Sequence, residues 1–167
     1  MNSAIEDLIT DVIRREGGFV NDSADHGGAT NWGITIGTLR NWRGKTVSVE
    51  DVKNLSQDEA REIYRANYFR GLESITDPKC LAFLFDYSVN AGTKKAVQAV
   101  QNAIGAVADG AWGPKSQAAL VAYGDQSKMY WKLVCYRFDH FMRIMGNDPS
   151  QTKFAHGWAN RMKEFWS

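Results

Sequence analysis

The segment D-P-K-C-L-A-F-L-F-D-Y-S-V-N, residues 77–90, constrains this chain more than any other. Pro78 suits the first position of a helix, where a missing N–H costs nothing, and Asp77 before it is a natural cap. The helix opened in this way is apolar nearly all round, so it needs partners packed on several sides and is expected to run through the middle of the molecule. The fold must supply those partners.

They are legible on both sides of it. Ile5, Leu8, Ile9, Val12 and Ile13 share one helix face, Ser3 with Glu6 reads as a capping box, and Gly17 and Gly18 stop the helix. Ile36, Leu39 and Trp42 predict a short helix after Thr35, and residues 44–49 read as a connection. Ser56 with Glu59 forms a second capping box ahead of Ala60, Ile63, Tyr64 and Tyr68. Beyond the apolar helix, Val97, Val100 and Ile104 mark a helix that Gly105 ends, and Pro114 opens one that Gly124 closes. Asp125 caps a long helix carrying Met129, Leu133, Val134, Phe141, Ile144 and Met145, and Phe154, Trp158, Met162 and Phe165 mark the last, with Trp158 and Phe165 assigned to the core. Between Gly17 and Gly37 the helical period is lost to glycines and Asn/Asp turn formers, an irregular loop or short hairpin. The expectation is a mostly α fold of seven or eight helices with one loop-rich excursion near residues 17–37. A mild seam near residues 71–78 divides it into subdomains 1–75 and 76–167 of a single domain, since at 167 residues two independent domains are not expected.

Lys and Arg number 20 against 19 Asp and Glu, so no global field argues for nucleic acid or an anionic membrane. No run approaches the roughly 20 apolar residues of a membrane span. Glu6, Asp7 and Asp11 fall where a secretory signal would need an apolar stretch, so the expectation is synthesis in the cytoplasm without an export signal. Cys80 and Cys135, with no CxxC and no clustered histidines, read as two buried thiols in place of a zinc site or disulfide framework. Six Trp, six Tyr and eight Phe exceed what a core of this size needs, which leaves some for a surface that stacks on a ligand such as carbohydrate.

Glu16 is the last residue before the Gly-Gly stop, at the negative end of a helix dipole, where ionisation is disfavoured. If Phe19 and Trp32 also shield it, the protonated form gains further, as a general acid requires. The same position equally suits an exposed Glu flanking Arg14 and Arg15. Asp22 and Asp25 follow in the polar loop, with Thr30 behind them. A carboxylic acid facing a second carboxylate, with a hydroxyl to hold a water, is the arrangement glycoside hydrolysis needs, although loop Asp residues more often cap turns. D-x-x-D-H with His26 lacks the paired ligands of a metal site.

These residues carry a resemblance. E-G-G-F-V-N-D-S-A-D-H-G-G-A-T-N-W-G-I-T, residues 16–35, resembles the signature of the glycoside hydrolase family 108 N-acetylmuramidases, phage and prophage endolysin-type lysozymes with an E-G-G-Y/F hallmark. F-D-Y-S-V-N-A-G (85–92), A-D-G-A-W-G-P-K-S (108–116) and G-W-A-N-R (157–161) resemble the family's predicted peptidoglycan-binding region. The resemblance implies a lysozyme-like fold and hydrolysis of the β-1,4 bond between N-acetylmuramic acid and N-acetylglucosamine without a cofactor. It places the catalytic acid at Glu16. The Glu, Asp, Thr order is similar to that of the smaller phage lysozymes, which ranks Asp25 above Asp22 as second carboxylate and gives Thr30 the water. There the Thr lies six residues after the Asp, whereas Thr30 lies five after Asp25.

For glycan contacts the best candidates are Trp32, Tyr68 and Asn90, chosen from a group that includes Tyr64, one turn before Tyr68, and Tyr87; core packing is an equally good reading of each. The expected cleft lies between the two halves. The expected partners are peptidoglycan glycan strands and, because the substrate lies outside the membrane, a pore-forming partner that releases the enzyme. A non-catalytic peptidoglycan-binding module and a lytic transglycosylase are the rival functions.

Overall fold

Each stretch with helical period forms a helix in the computed structural model, which describes residues 3–21 and 28–166. The helices are α1 (Ser3–Glu16), α2 (Ile36–Arg43), α3 (Val49–Lys53), α4 (Gln57–Tyr68), α5 (Pro78–Ala91), α6 (Thr93–Ala103), α7 (Pro114–Tyr123), α8 (Tyr130–Asn147) and α9 (Ala155–Lys163). Short 3-10 turns at Gln126–Met129 and Pro149–Phe154 lead into α8 and α9. Strands β1 (Thr30–Asn31) and β2 (Ile34–Thr35) pair antiparallel, with Thr30 opposite Thr35 and Asn31 opposite Ile34. The protein is mostly α, as its periodicity predicts, and its chain divides into two units, Met1–Tyr68 and Phe69–Ser167.

In the first unit α1 packs on α4, burying Ile9, Val12 and Ile13 on one side and Ala60, Ile63 and Tyr64 on the other. Gly17 stops α1 in a left-handed conformation at φ 73°, with its N–H on the Ile13 carbonyl at 3.3 Å. The capping box expected at Ser56 is not completed by its glutamate, and both Glu59 and the Glu6 of the other S-x-x-E pattern pair with arginines. Both Glu6 oxygens accept from Arg65, at 2.7 and 2.8 Å, and Glu59 is gripped by Arg43 at 2.8 and 2.7 Å. A bidentate guanidinium is a stronger partner for a carboxylate than one cap N–H. Ser56 still accepts from the Glu59 N–H at 3.1 Å. The stretch read as a connection ends in the five-residue α3, opened by a complete capping box in which Ser48 accepts from Asp51 N–H at 3.2 Å and the Asp51 carboxylate accepts from Ser48 N–H at 2.9 Å.

In the second unit α5 is the central element. Asp77 caps it through the Cys80 N–H at 2.8 Å, and residues Cys80, Leu81 and 83–88 are buried against α6, α8 and the turn before α8. The Asp-Gly turn of the 108–116 motif is held by Gln101, which donates to Asp109 at 2.9 Å and to Ser116 at 3.0 Å and accepts from Gly110 N–H at 2.8 Å. Hydrogen bonds from Ala111 and Gln101 hold the Asp109 carboxyl below the usual range. Only one expected thiol is internal: Cys80 is buried, whereas Cys135 lies on the solvent side of α8. Trp158 and Phe165, assigned to the core by period, are half-buried; Trp158 stacks on Phe141 with ring centres 4.8 Å apart. Among the described residues no helix is long and apolar enough to cross a membrane.

Candidate active site

Three elements of the first unit converge on Glu16. It ends α1, and the turn between β1 and β2 lies against its side chain. A Cβ on Gly33 would fall 2.9 Å from the Glu16 Cγ and 3.1 Å from its Cβ. Only a glycine lets the turn approach so closely.

That turn has two successive left-handed residues, Trp32 at φ 54° and Gly33 at φ 75°, the pattern of a two-residue hairpin that follows the right-handed twist of its strands. A tryptophan there is strained, and two hydrogen bonds hold it. Its indole N–H donates to the Leu55 carbonyl at 3.0 Å, and its carbonyl accepts from the Tyr64 phenol at 3.1 Å. The buried Asn31 amide adds bonds to the Val52 and Lys53 carbonyls, both 3.0 Å, tying the hairpin to α3.

The third element is α4, whose Tyr64 and Tyr68 rings lie 5.2 Å apart, one turn from each other. Burial pushes both phenols up, and the Glu16 carboxylate adds to it. Both tyrosines are thus protonated donors at any physiological pH, within the electrostatic reach of Glu16.

Glu16 itself is exposed, as is Phe19, so the shielding that Phe19 and Trp32 were expected to provide is not built into the described residues. The arginines beside it turn back along α1: Arg14 donates to the Asp11 carboxylate at 3.2 Å and Arg15 to the Asp11 carbonyl at 3.4 Å. Thr30 is placed by a backbone pair with Val20, two hydrogen bonds of 2.8 Å that close the base of the excursion, and its hydroxyl lies 3.5 Å from the Val20 carbonyl. Asp22, Asp25 and His26 lie outside the described residues. Trp32 and Tyr68 therefore share the surroundings of Glu16, through the turn and through α4. Asn90 belongs to the second unit, exposed near the end of α5, where its amide donates to the Asp86 carbonyl at 2.6 Å. Tyr87 is buried there and its hydroxyl pairs with His140 Nδ1 at 2.7 Å, a core role. Sequence reasoning did not single out Gly33 or rank Tyr64 first. The signal for Gly33 was present, since N-W-G between residues of alternating burial is a hairpin turn with glycine at a left-handed position.

A family model described as Glycosyl hydrolase 108 matches residues 9–92, and one described as Predicted Peptidoglycan domain matches residues 95–163. SagA of Brucella abortus, a solved structure, is similar at 30% identity with a TM-score of 0.81, over 99% of this chain and 92% of that one. Comparison with curated proteins gives no match. The first match begins in α1, takes in Glu16, Gly33, Tyr64 and Tyr68, and covers half of the sequence; on that ground this chain belongs to glycosyl hydrolase family 108, as a glycoside hydrolase with a peptidoglycan-binding region after it.

Proposed function

We propose that the protein is an N-acetylmuramidase, cutting the β-1,4 bond between N-acetylmuramic acid and N-acetylglucosamine in peptidoglycan. The observation that carries this is the placement of Glu16: a solvent-accessible carboxyl at a helix end, braced by Gly33 and flanked by Tyr64 and Tyr68, inside the glycosyl hydrolase match. Accessibility lets it meet a polymeric substrate, and bracing fixes its direction.

In the proposed reaction Glu16 gives its proton to the glycosidic oxygen as the bond to the muramyl carbon breaks. The sugar develops positive charge, which the Asp25 carboxylate stabilises or quenches by activating a water, and the Thr30 hydroxyl orients that water. Water adds to the sugar carbon and its second proton passes to the carboxylate acting as base. Trp32 and Tyr68 offer ring faces to the glycan near the cut, and Asn90 a polar contact on the second unit.

The test is digestion of purified cell walls by wild type and Glu16→Gln, with mass analysis of the products. Wild type should release fragments ending in reducing N-acetylmuramic acid, one water heavier than the anhydro ends a lytic transglycosylase would leave. Glu16→Gln should fold normally and clear walls at least ~100-fold more slowly, the usual worth of a general acid. Clearing within a few-fold of wild type would remove Glu16 from the chemistry, anhydro products would make the enzyme a transglycosylase, and wall binding without any product would make it a binding module.

A further inference from the structure

The second unit holds a cavity of about 490 Å³ of which the Glu16 chemistry calls on Asn90 alone, lined by Asn90, Arg137, Phe141, Lys153, Trp158 and Arg161 among others. One wall is flat and aromatic: Phe141 and Trp158 stack with centres 4.8 Å apart and planes 5° from parallel. Arg137, Lys153 and Arg161 bring positive charge to the same cavity.

Three of those six side chains carry positive charge, and two of them, Arg137 and Arg161, reach the buried carboxylate of Asp86. Asp86 is shared: one oxygen accepts from Arg137 Nη1 at 2.7 Å and the other from Arg161 Nε at 2.9 Å. Arg137 is fully buried, yet its Nε and Nη2 have no hydrogen-bond partner among the described residues. The rings of Phe83, Tyr87 and Phe141, 5.0 to 5.5 Å from its guanidinium carbon, offset part of the charge, but an aromatic face cannot replace two in-plane acceptors.

The orphaned pair is informative because Nε and Nη2 form one edge of the guanidinium, with two parallel N–H bonds. Elsewhere in this chain the same edge of Arg43 takes both oxygens of Glu59, at 2.8 and 2.7 Å. An arginine that leaves that edge unpaired, and that lines a cavity with two further cations, is complementary to a carboxylate.

We propose that this cavity binds a free carboxylate of the peptide stems of peptidoglycan, with Arg137 taking the carboxylate on its unpaired edge, Arg161 and Lys153 adding charge, and the Phe141–Trp158 wall packing the adjoining peptide. The proposal rests on the reading that the protein works on peptidoglycan. In intact wall the lactyl carboxyl of muramic acid is consumed in the amide to the peptide, so the abundant free carboxylates are those of the stems. Because Arg137 Nε and Nη2 are covered, engagement requires a rotamer change in the wall, as is common when side chains meet a ligand. The site would favour strands that carry stems over denuded glycan.

The experiment is calorimetric titration of the full chain with four probes: the stem tetrapeptide with free carboxylates, its fully amidated form, an N-acetylglucosamine disaccharide and inorganic phosphate. The free-carboxylate peptide should bind at least tenfold more tightly than the amidated one and than phosphate. Lys153→Gln, at an exposed position, should weaken it several-fold with an unchanged melting temperature, and Arg161→Gln should weaken it tenfold. Glu16→Gln should leave peptide binding intact. Equal binding of both peptides, phosphate binding as tight as the peptide, or indifference to both cavity substitutions would overturn the proposal. Wall clearing without peptide binding would overturn it and leave the muramidase reading standing; peptide binding without wall clearing would sink the muramidase reading alone.

Discussion

Gly33→Ala probes the link between the hairpin turn and the proposed acid. At φ 75° an alanine pays the left-handed penalty, about 1–2 kcal/mol. Its Cβ would also stand 2.3 Å from the Tyr64 hydroxyl, which must then leave the Trp32 carbonyl it now reaches at 3.1 Å. Displacing that largely buried hydroxyl from its acceptor costs a further 1–2 kcal/mol or so. The sum, roughly 2–4 kcal/mol, corresponds to a fall in melting temperature of roughly 5–15 °C for a chain of this size.

Activity should fall further than stability accounts for, because the new methyl also presses on Glu16 Cγ and Cβ. A displacement near 1 Å in a catalytic group can cost on the order of 100-fold. The assay is wall clearing well below the melt of the variant, beside a thermal melt. Gly37→Ala is the control: it lies in the first turn of α2, with only the Thr35 hydroxyl at 3.7 Å, and should melt at or slightly above wild type with full activity. Wild-type clearing by folded Gly33→Ala would refute the claim that this contact aims Glu16.

Asp25→Asn should reduce turnover more than Asp22→Asn, measured as clearing rate on walls, and the reverse order would move the second carboxylate three residues toward α1. Glu59→Gln should cost about 1 kcal/mol at pH 7, the worth of a partly exposed pair with Arg43. Because Arg43 holds the Glu59 carboxyl below its usual range, that contribution is present above the unfolded value of about 4.3 and is lost as pH falls through the lower folded value. The stability gap between wild type and Glu59→Gln should therefore narrow as the pH is lowered from 7 to 3, and an equal gap at both pH values would refute the pairing. Iodoacetamide should modify Cys135 in the native protein and Cys80 only on unfolding, since Cys135 is exposed while burial pushes the Cys80 thiol up; rapid double labelling under native conditions would contradict the placement of Cys80.

What was legible in the sequence was what is local. Asp77 and Pro78 opened α5 where expected, and the unbroken apolar run required the burial seen from Cys80 to Ser88. The five-residue α3 was missed because one turn shows no period, although Ser48 and Asp51 carried its cap. Glu59 shows where local reasoning fails: the S-x-x-E pattern was present, and an arginine 16 residues away took the carboxylate. Cys135 was placed inside by its residue type, whereas its position on the face of α8 put it outside. The Asp86, Arg137 and Arg161 network spans 75 residues, and no spacing rule could have joined its members.

The hairpin turn breaks a local rule. Asn or Gly would occupy the left-handed position of Trp32 without strain, yet this chain places there the largest side chain available and restrains it at both ends, indole to Leu55 and carbonyl to Tyr64. For stability alone the smaller residues would serve, with no bonds needed to hold the backbone in place. Strain retained against easier alternatives points to a demand on the side chain or on what it positions. Here both are present, since the ring remains half-exposed and the next residue is the glycine against Glu16. On this argument the turn has two roles, presenting an aromatic face and bracing the carboxyl, and the tyrosine whose hydroxyl secures it comes from a helix that packs on the one ending in Glu16. The rigidity of the α1–α4 pair is thereby passed to Glu16, which is how an exposed glutamate at a helix end can hold a fixed direction.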